Sequence, residues 1–160
     1  MSINKRRLHV EPSPDASSFK VKVAFATHDR QTVDQHFGSS LGMLIYGICE
    51  QDWHLIEAIE YSVSDRVHDK LPSRINDLAE CSAVFCNACG AAAIRQLIEQ
   101  NIQPIKVREG YDIHQLLSEM QQELQQGPSG WLARAMKQRE DVQTAKNSQQ
   151  RLSQLMDEEW

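Results

Sequence analysis

The residues of this chain that are best suited to bind a ligand lie in two loops, and the first loop contains His36. It follows a hydrophobic run, residues 21–26, that is typical of a buried strand. Phe37 can anchor the loop in the core, Gly38 allows close approach of the backbone, and Asp34 could orient the imidazole. Imidazole binds iron, molybdenum and zinc, although a lone histidine is more often a surface or core residue.

The second loop contains Cys86 and Cys89, between a strand-like run at residues 83–85 and a helix. Three interpretations compete: a dithiol redox pair, half of a metal site, or small residues that fill the strand–helix junction. A helix N-terminus lowers the pKa of a thiol, which favours redox chemistry, but no aromatic-Cys-Gly-Pro-Cys motif is present. A structural zinc site is disfavoured, because no second Cys-x-x-Cys or His-x-His supplies the remaining ligands.

Charge near these loops points to an anionic ligand. The small residues Asn87 and Gly90 lie where a helix begins, so backbone N–H groups there could face an anion. Arg30 and His28 in the first loop could add positive charge, although such side chains are more often simply solvated. Ligands of α/β sheets bind where neighbouring strands end, so we expect the two loops to meet at one edge.

Two enzymatic alternatives have weaker support. Two-metal nuclease chemistry needs carboxylates that rise from the strands, and residues 20–27 contain none. A hydrolase dyad of Cys86 and His36 is possible, but no third group that would orient it is apparent.

The order of elements predicts the fold that must position these loops. We expect strands at residues 20–27, 43–48, 55–61, 83–85 and 103–107, and helices at 70–78, 91–100 and 112–126. The link between the second and third strands is too short for a crossover helix, so these strands should form an antiparallel hairpin. The fold class is therefore α/β: a mixed five-stranded sheet with helices on its faces, for which a ribonuclease H-like topology fits best.

The chain divides into three predicted parts. Residues 1–18 mix charges with prolines and serines, which predicts a mobile lead-in. Residues 19–126 form the α/β domain. Residues 127–160 form a C-terminal helical extension, which either docks on its own domain or binds a partner.

Composition restricts the function. The 160 residues include 17 basic and 22 acidic side chains, so the chain lacks the basic excess of a nucleic-acid-binding protein. No apolar run approaches the roughly 18 residues of a membrane span, and no export signal is apparent, which predicts a cytoplasmic protein with no membrane partner. The four cysteines should then be reduced, with Cys49 and Cys81 as small core residues.

The order of these motifs resembles a known family. The resemblance rests on Lys22-Val23-Ala24-Phe25-Ala26, Val33-Asp34-Gln35-His36-Phe37-Gly38, Phe85-Cys86-Asn87-Ala88-Cys89-Gly90-Ala91, Ile94-Arg95-Gln96-Leu97 and Gln103-Pro104-Ile105-Lys106-Val107. Together these segments are similar to nitrogenase iron-molybdenum cofactor biosynthesis proteins of the NifX type, over residues 19–126 and the start of the extension.

The resemblance implies a ribonuclease H-like domain that carries a cluster and is not an enzyme. Its cargo would be the iron-molybdenum cofactor or its iron-sulfur precursor, the NifB cofactor, bound transiently between the NifB enzyme and the NifEN scaffold. In the related carrier NafY, the histidine of the His-Phe-Gly motif ligates the cluster, and this histidine corresponds to His36. Cys86 and Cys89 occupy the facing loop, and Cys89 is not a fixed feature of the family.

The leading hypothesis is therefore a cofactor carrier in which His36 and Cys86 bind metal. The remaining predicted contacts are Cys89, Phe37, Gly38, Asn87, Gly90, Arg30 and His28. A carrier needs few, labile ligands, because a fully thiolate-coordinated cluster would not leave. The alternatives are a dithiol oxidoreductase using Cys86 and Cys89, and an interaction module acting through residues 131–160.

Overall fold

The computed structural model describes residues 5–10, 19–62 and 67–158, which form a central sheet with helices on both faces. The strands are β1 Lys5–His9, β2 Val21–Ala26, β3 Thr32–Val33, β4 Gly42–Ile48, β5 Trp53–Tyr61, β6 Ala83–Cys86, β7 Gln103–Lys106 and β8 Tyr111–Asp112. The helices are α1 Val67–Asn76, α2 Ala91–Glu99, α3 Ile113–Gln126 and α4 Gly130–Glu158.

The main sheet has six strands in the order β1-β5-β4-β2-β6-β7. The pairs β1–β5, β5–β4 and β4–β2 are antiparallel, whereas β2–β6 and β6–β7 are parallel. This arrangement confirms the predicted mixed sheet and the hairpin of β4 and β5. Phe25 of β2 pairs with Phe85 of β6, so these two strands end side by side and deliver their loops to the same edge.

The core has two layers because side chains alternate across β2. Val21, Val23 and Phe25 face α3, and Ala24 and Ala26 face the other side. The second side is covered by Leu71 and Ile75 of α1 and by Ala93 and Leu97 of α2. Large residues on one face and small residues on the other let helices of both layers pack against a single strand.

The prediction of five strands is wrong, because β1 adds a sixth strand at the sheet edge. The prediction of a mobile lead-in is corrected for residues 5–9, which pair with β5. Lys5 Nζ lies 2.7 Å from Asp77 Oδ1, and the Arg7 guanidinium contacts both Asp77 and Glu57. Charge pairing with two buried carboxylates therefore holds this strand in place. A search for hydrophobic periodicity does not detect strands of this kind, because most of their residues are charged. Residues 1–4 and 11–18 lie outside the described part of the chain.

Helix α4 is anchored at its start and projects beyond the domain. Leu132 is fully buried, Ala135 is nearly so, and Arg139 Nε donates to Phe19 O at 3.0 Å. Residues 140–156 are exposed wherever their side chains are described, and they include Val142 and Leu152. This projecting segment extends roughly 25 Å at 1.5 Å per residue. None of the helices in the described ranges combines the length and apolar character that crossing a membrane requires.

The projecting part of α4 is expected to contribute little to domain stability. A chain that ends after Arg139 should have a free energy of unfolding within about 0.5 kcal/mol of that of the full chain, because the described side chains beyond Arg139 are exposed. Urea denaturation of both forms, followed by tryptophan fluorescence, measures this difference. A loss of more than about 1 kcal/mol would show that the segment packs against the domain.

Candidate functional site

Two backbone hydrogen bonds join the loop that contains His36 to the loop that contains the Cys-x-x-Cys motif. The Asn87 N–H donates to Gln35 O at 2.9 Å, and the Phe37 N–H donates to Ala88 O at 2.8 Å. These bonds lie on either side of His36 and fix its backbone against the second loop. The two loops expected from the sequence to share a sheet edge are therefore in direct contact.

The side chain of His36 is free to meet a ligand. It is exposed, while the neighbouring Phe37 is fully buried and anchors the loop. Among the described residues, the imidazole makes no hydrogen bond or ion pair. Asp34, which we expected to orient the ring, instead accepts a hydrogen bond from the His28 N–H at 2.8 Å. Neither ring nitrogen is thus occupied by a protein group in the described part of the chain.

The loop that contains His36 is closed by a hydrogen bond between residues on either side of the histidine. Gln35 Oε1 accepts a hydrogen bond from the Leu41 N–H at 3.1 Å. Gly38 is not among the glycines with positive φ. At Gly42, a Cβ atom would lie 2.6 Å from Thr27 O, so this glycine is required for close packing within the sheet. Gly42 is therefore a packing residue of the sheet.

The two thiols of the second loop occupy different environments. Cys86 is fully buried, whereas Cys89 is partly exposed. A hydrogen bond to Cys89 and burial together raise the pKa of the Cys86 thiol. The same hydrogen bond from Cys86 lowers the pKa of Cys89, and this effect outweighs partial burial. The structure therefore favours Cys89 over Cys86 as the thiolate that can reach a ligand.

This difference predicts an order of thiol modification. In the folded protein, iodoacetamide should modify Cys89 at least about tenfold faster than Cys86, because only the exposed thiolate is reactive. Peptide mass spectrometry at successive times measures both rates. Buried Cys81, whose pKa is raised by burial to about 12, should react as slowly as Cys86 and serves as the internal control. Equal labelling of Cys86 and Cys89 would contradict the assignment.

Asn87 joins three segments instead of offering its backbone to an anion. Its N–H is occupied by Gln35 O, and its side-chain Nδ2 donates to Val33 O at 2.9 Å and to Val107 O at 3.2 Å. Its Oδ1 is buried and has no partner among the described residues. Asn87 is thus a structural residue of the site, which the sequence did not reveal.

Gly90 is placed as expected, at the N-cap of α2. No side chain at this position caps the N–H groups at the start of α2, and the first turn of α2 contains no acidic residue. Gly90, Ala91 and Ala92 are exposed. The positive end of the α2 dipole therefore opens to solvent beside Cys89.

Arg30 and His28 lie on a different part of the same edge. The Arg30 guanidinium forms an ion pair with Glu60 of β5, so its charge is already neutralised. Both residues line a cavity of about 360 Å³ above β4 and β5, whose lining includes neither His36 nor Cys89. Arg30 and His28 thus line this cavity, whereas His36 and Cys89 do not.

Asp29 shapes the first loop, although it was not among the predicted site residues. Its carboxylate accepts hydrogen bonds from the N–H groups of Gln31 and Thr32, and from the hydroxyl of Thr32. An aspartate whose side chain caps the next residues is a recognisable turn signal. Asp29 therefore positions β3, whose Val33 binds Asn87.

The described residues contain no group of three or more His, Cys, Asp or Glu side chains arranged to enclose a metal ion. The contact between the loops instead offers one imidazole and one accessible thiol, both from the protein surface. Such a sparse donor set can hold a metal centre that brings most of its own ligands.

The geometry therefore defines an α/β protein with a sparse, open donor site at a sheet edge, and sequence comparison places it in a family. Residues 20–123 match the model of the family described as dinitrogenase iron-molybdenum cofactor. The matched range includes His36 and both Cys86 and Cys89. The chain belongs to this family, and within it to the NifX group, as the following relatives show.

NifX of Azotobacter vinelandii is 46% identical to this chain over 138 residues, which cover 85% of this chain and 87% of that protein. NifX of Klebsiella pneumoniae is 35% identical over 107 residues, covering 66% of this chain and 69% of that protein. NifY of Azotobacter vinelandii is 25% identical over 116 residues, covering 72% of this chain and 48% of that protein.

Proposed function

We propose that this protein carries the iron-molybdenum cofactor or its iron-sulfur precursor, the NifB cofactor, during nitrogenase cofactor assembly. The observation that carries this proposal is the exposed imidazole of His36, which two backbone hydrogen bonds fix against the Cys-x-x-Cys loop. Membership of the dinitrogenase iron-molybdenum cofactor family gives the class of cargo.

His36 and Cys89 are the proposed direct ligands. The imidazole has no competing protein partner among the described residues, and Cys89 is the more exposed thiol of the pair. Cys89 packs against the core cluster that contains Cys86, and the interaction with Cys86 lowers the pKa of the Cys89 thiol. Two labile protein ligands would hold an anionic cluster and still permit its transfer.

The proposed fold type is ribonuclease H-like. The strand order β5-β4-β2-β6-β7, with β4 antiparallel to both neighbours, supports it. The proposed activity is transfer without catalysis, in which the imidazole of His36 and the thiol of Cys89 serve as ligands. In this scheme the protein receives its cargo from NifB and delivers it to NifEN in the cytoplasm.

Anaerobic gel filtration tests the proposal. Wild-type protein is mixed with isolated NifB cofactor, and iron and absorbance are measured in the protein peak. Equimolar co-elution is expected, and it should persist when bovine serum albumin is present as a competitor for nonspecific binding. Absence of iron from the protein peak would overturn the carrier function.

The alternative function is a dithiol oxidoreductase, and the lowered pKa of the Cys89 thiol beside Cys86 favours it. An oxidoreductase would convert oxidised glutathione to two molecules of glutathione while Cys86 and Cys89 form a disulfide, added dithiothreitol would reduce that disulfide for the next turnover, and Cys89→Ser would abolish this catalysis. A carrier would not accelerate the reaction between dithiothreitol and oxidised glutathione. The two assays use the same preparation and separate the functions directly.

The projecting end of α4 favours an additional role in partner binding. Leu152, Leu155 and Met156 are each at least 60% exposed, which is unusual for large apolar side chains on a protein surface. A chain that ends after Arg139 should bind the NifB cofactor normally and bind NifEN more weakly. Loss of cofactor binding in this form would instead place α4 in the cargo site.

A further inference from the structure

We propose that Lys106 supplies the positive charge that holds the anionic cargo beside Cys89, a role that the sequence suggested for Arg30. This inference rests on the proposed carrier function. It names a residue whose positive charge makes the site prefer anionic ligands. The chain as a whole has a net charge of −5, so an anionic cluster needs a local cation to bind.

Strand register places Lys106 beside the thiols. Lys106 of β7 pairs with Cys86 of β6 in the parallel ladder, and the Val107 N–H donates to Cys86 O at 2.9 Å. Paired residues of neighbouring strands point to the same face of a sheet. Cys86 belongs to the core layer that α2 covers, so Lys106 lies on the α2 side of the edge.

The charge of Lys106 is available to a ligand. Lys106 is exposed, and among the described residues it forms no ion pair or hydrogen bond. Its place opposite Cys86 in the strand ladder puts this charge next to the second loop.

Two other cations near this edge, Arg30 and Arg108, are engaged elsewhere. Arg30 is paired with Glu60. The Arg108 guanidinium lies over the ring of Tyr111, 5.1 Å from its centroid, and Tyr111 packs on the α3 side of the sheet. The uncapped N-terminus of α2 adds to the field of Lys106, because its first turn contains no acidic residue.

Cargo affinity provides the first test. Lys106→Gln should weaken the binding of isolated NifB cofactor about fivefold in about 50 mM NaCl, and the difference should shrink in about 500 mM NaCl because salt screens the charge. Lys106→Arg should retain wild-type affinity. Lys137→Gln, which removes an exposed lysine of α4, should have no effect, and Arg30→Gln should change affinity less than Lys106→Gln.

A second test needs no cluster. Iodoacetate is an anion and iodoacetamide is neutral, and both alkylate the Cys89 thiolate. The ratio of their rates therefore measures the local electrostatic field and cancels any change in the ionisation of the thiol. Lys106→Gln should lower the iodoacetate-to-iodoacetamide ratio about two- to threefold at low salt, whereas Lys137→Gln should leave it unchanged.

The outcomes separate this inference from the carrier function. If wild-type protein binds the NifB cofactor but Lys106→Gln binds it equally well, the carrier function stands and the role of Lys106 is overturned. If wild-type protein does not bind the cofactor, the carrier function fails, and the alkylation ratio alone decides whether Lys106 makes this edge attractive to anions. An unchanged ratio would overturn the inference in either case.

Discussion

Replacement of His36 with alanine is expected to weaken the binding of isolated NifB cofactor at least about tenfold, since even groups that only orient a metal ligand contribute factors of 10 to 100. The imidazole is exposed and has no competing partner in the described part of the chain, so its removal leaves the fold unchanged. Anaerobic equilibrium dialysis with iron quantification measures the affinity.

Two controls make the His36 result specific. His54→Ala removes an exposed histidine near the start of β5, which pairs with Gly47 at the opposite end of β4 from Gly42, and it should not change cofactor affinity. His36→Cys should recover part of the affinity, because a thiolate can replace imidazole at iron. If His36→Ala binds the cofactor with wild-type affinity, His36 is not a ligand, and Cys89 becomes the leading candidate.

Replacement of Asp77 with alanine is expected to destabilise the protein by about 3 kcal/mol, because removing one partner of a buried ion pair leaves the others uncompensated. Asp77 is 4% exposed. Its carboxylate contacts Lys5 and Arg7 and accepts a hydrogen bond from the Tyr61 hydroxyl at 2.9 Å. The loss is limited because Lys5 and Arg7 are each about one-third exposed and can turn to solvent.

Urea denaturation measures this effect, and the expected loss is a large share of the 5–15 kcal/mol stability that is roughly typical of domains. Asp141→Ala is the matched control, because Asp141 is exposed on α4 and should change stability by less than about 0.5 kcal/mol. Hydrogen exchange should also show faster opening of β1 in Asp77→Ala. A loss below about 1 kcal/mol would mean that β1 is held chiefly by its backbone pairing with β5.

Hydrophobic periodicity was sufficient to locate most of the elements. The predicted helix at residues 112–126 is α3, and Asp112 caps it by accepting a hydrogen bond from the Gln115 N–H at 3.0 Å. Pro104 lies in the edge strand β7, where a missing N–H leaves no ladder bond unmade. These features depend on local chemistry, which the sequence displays directly.

Charge partners could not be predicted in the same way. Arg30 and Lys106 look equally available in the sequence, yet the structure pairs Arg30 with Glu60 and leaves Lys106 beside Cys86. β1 was missed for the same reason, because the partner of its Lys5 is Asp77, which follows α1. Contacts between residues far apart in the chain are set by strand order and register.

The sequence by itself determined which donors this protein can offer a ligand, namely an imidazole on a strand-end loop and two thiols before a helix, because residue type and the strand–loop–helix pattern are local properties. The tertiary structure confirmed that the loops meet, and it alone decided that Cys89 is accessible while Cys86 is buried and that Arg30 is paired while Lys106 has no ion-pair partner among the described residues. Those outcomes depend on the parallel pairing of β2, β6 and β7, which brings distant segments to one edge and fixes the depth of each side chain.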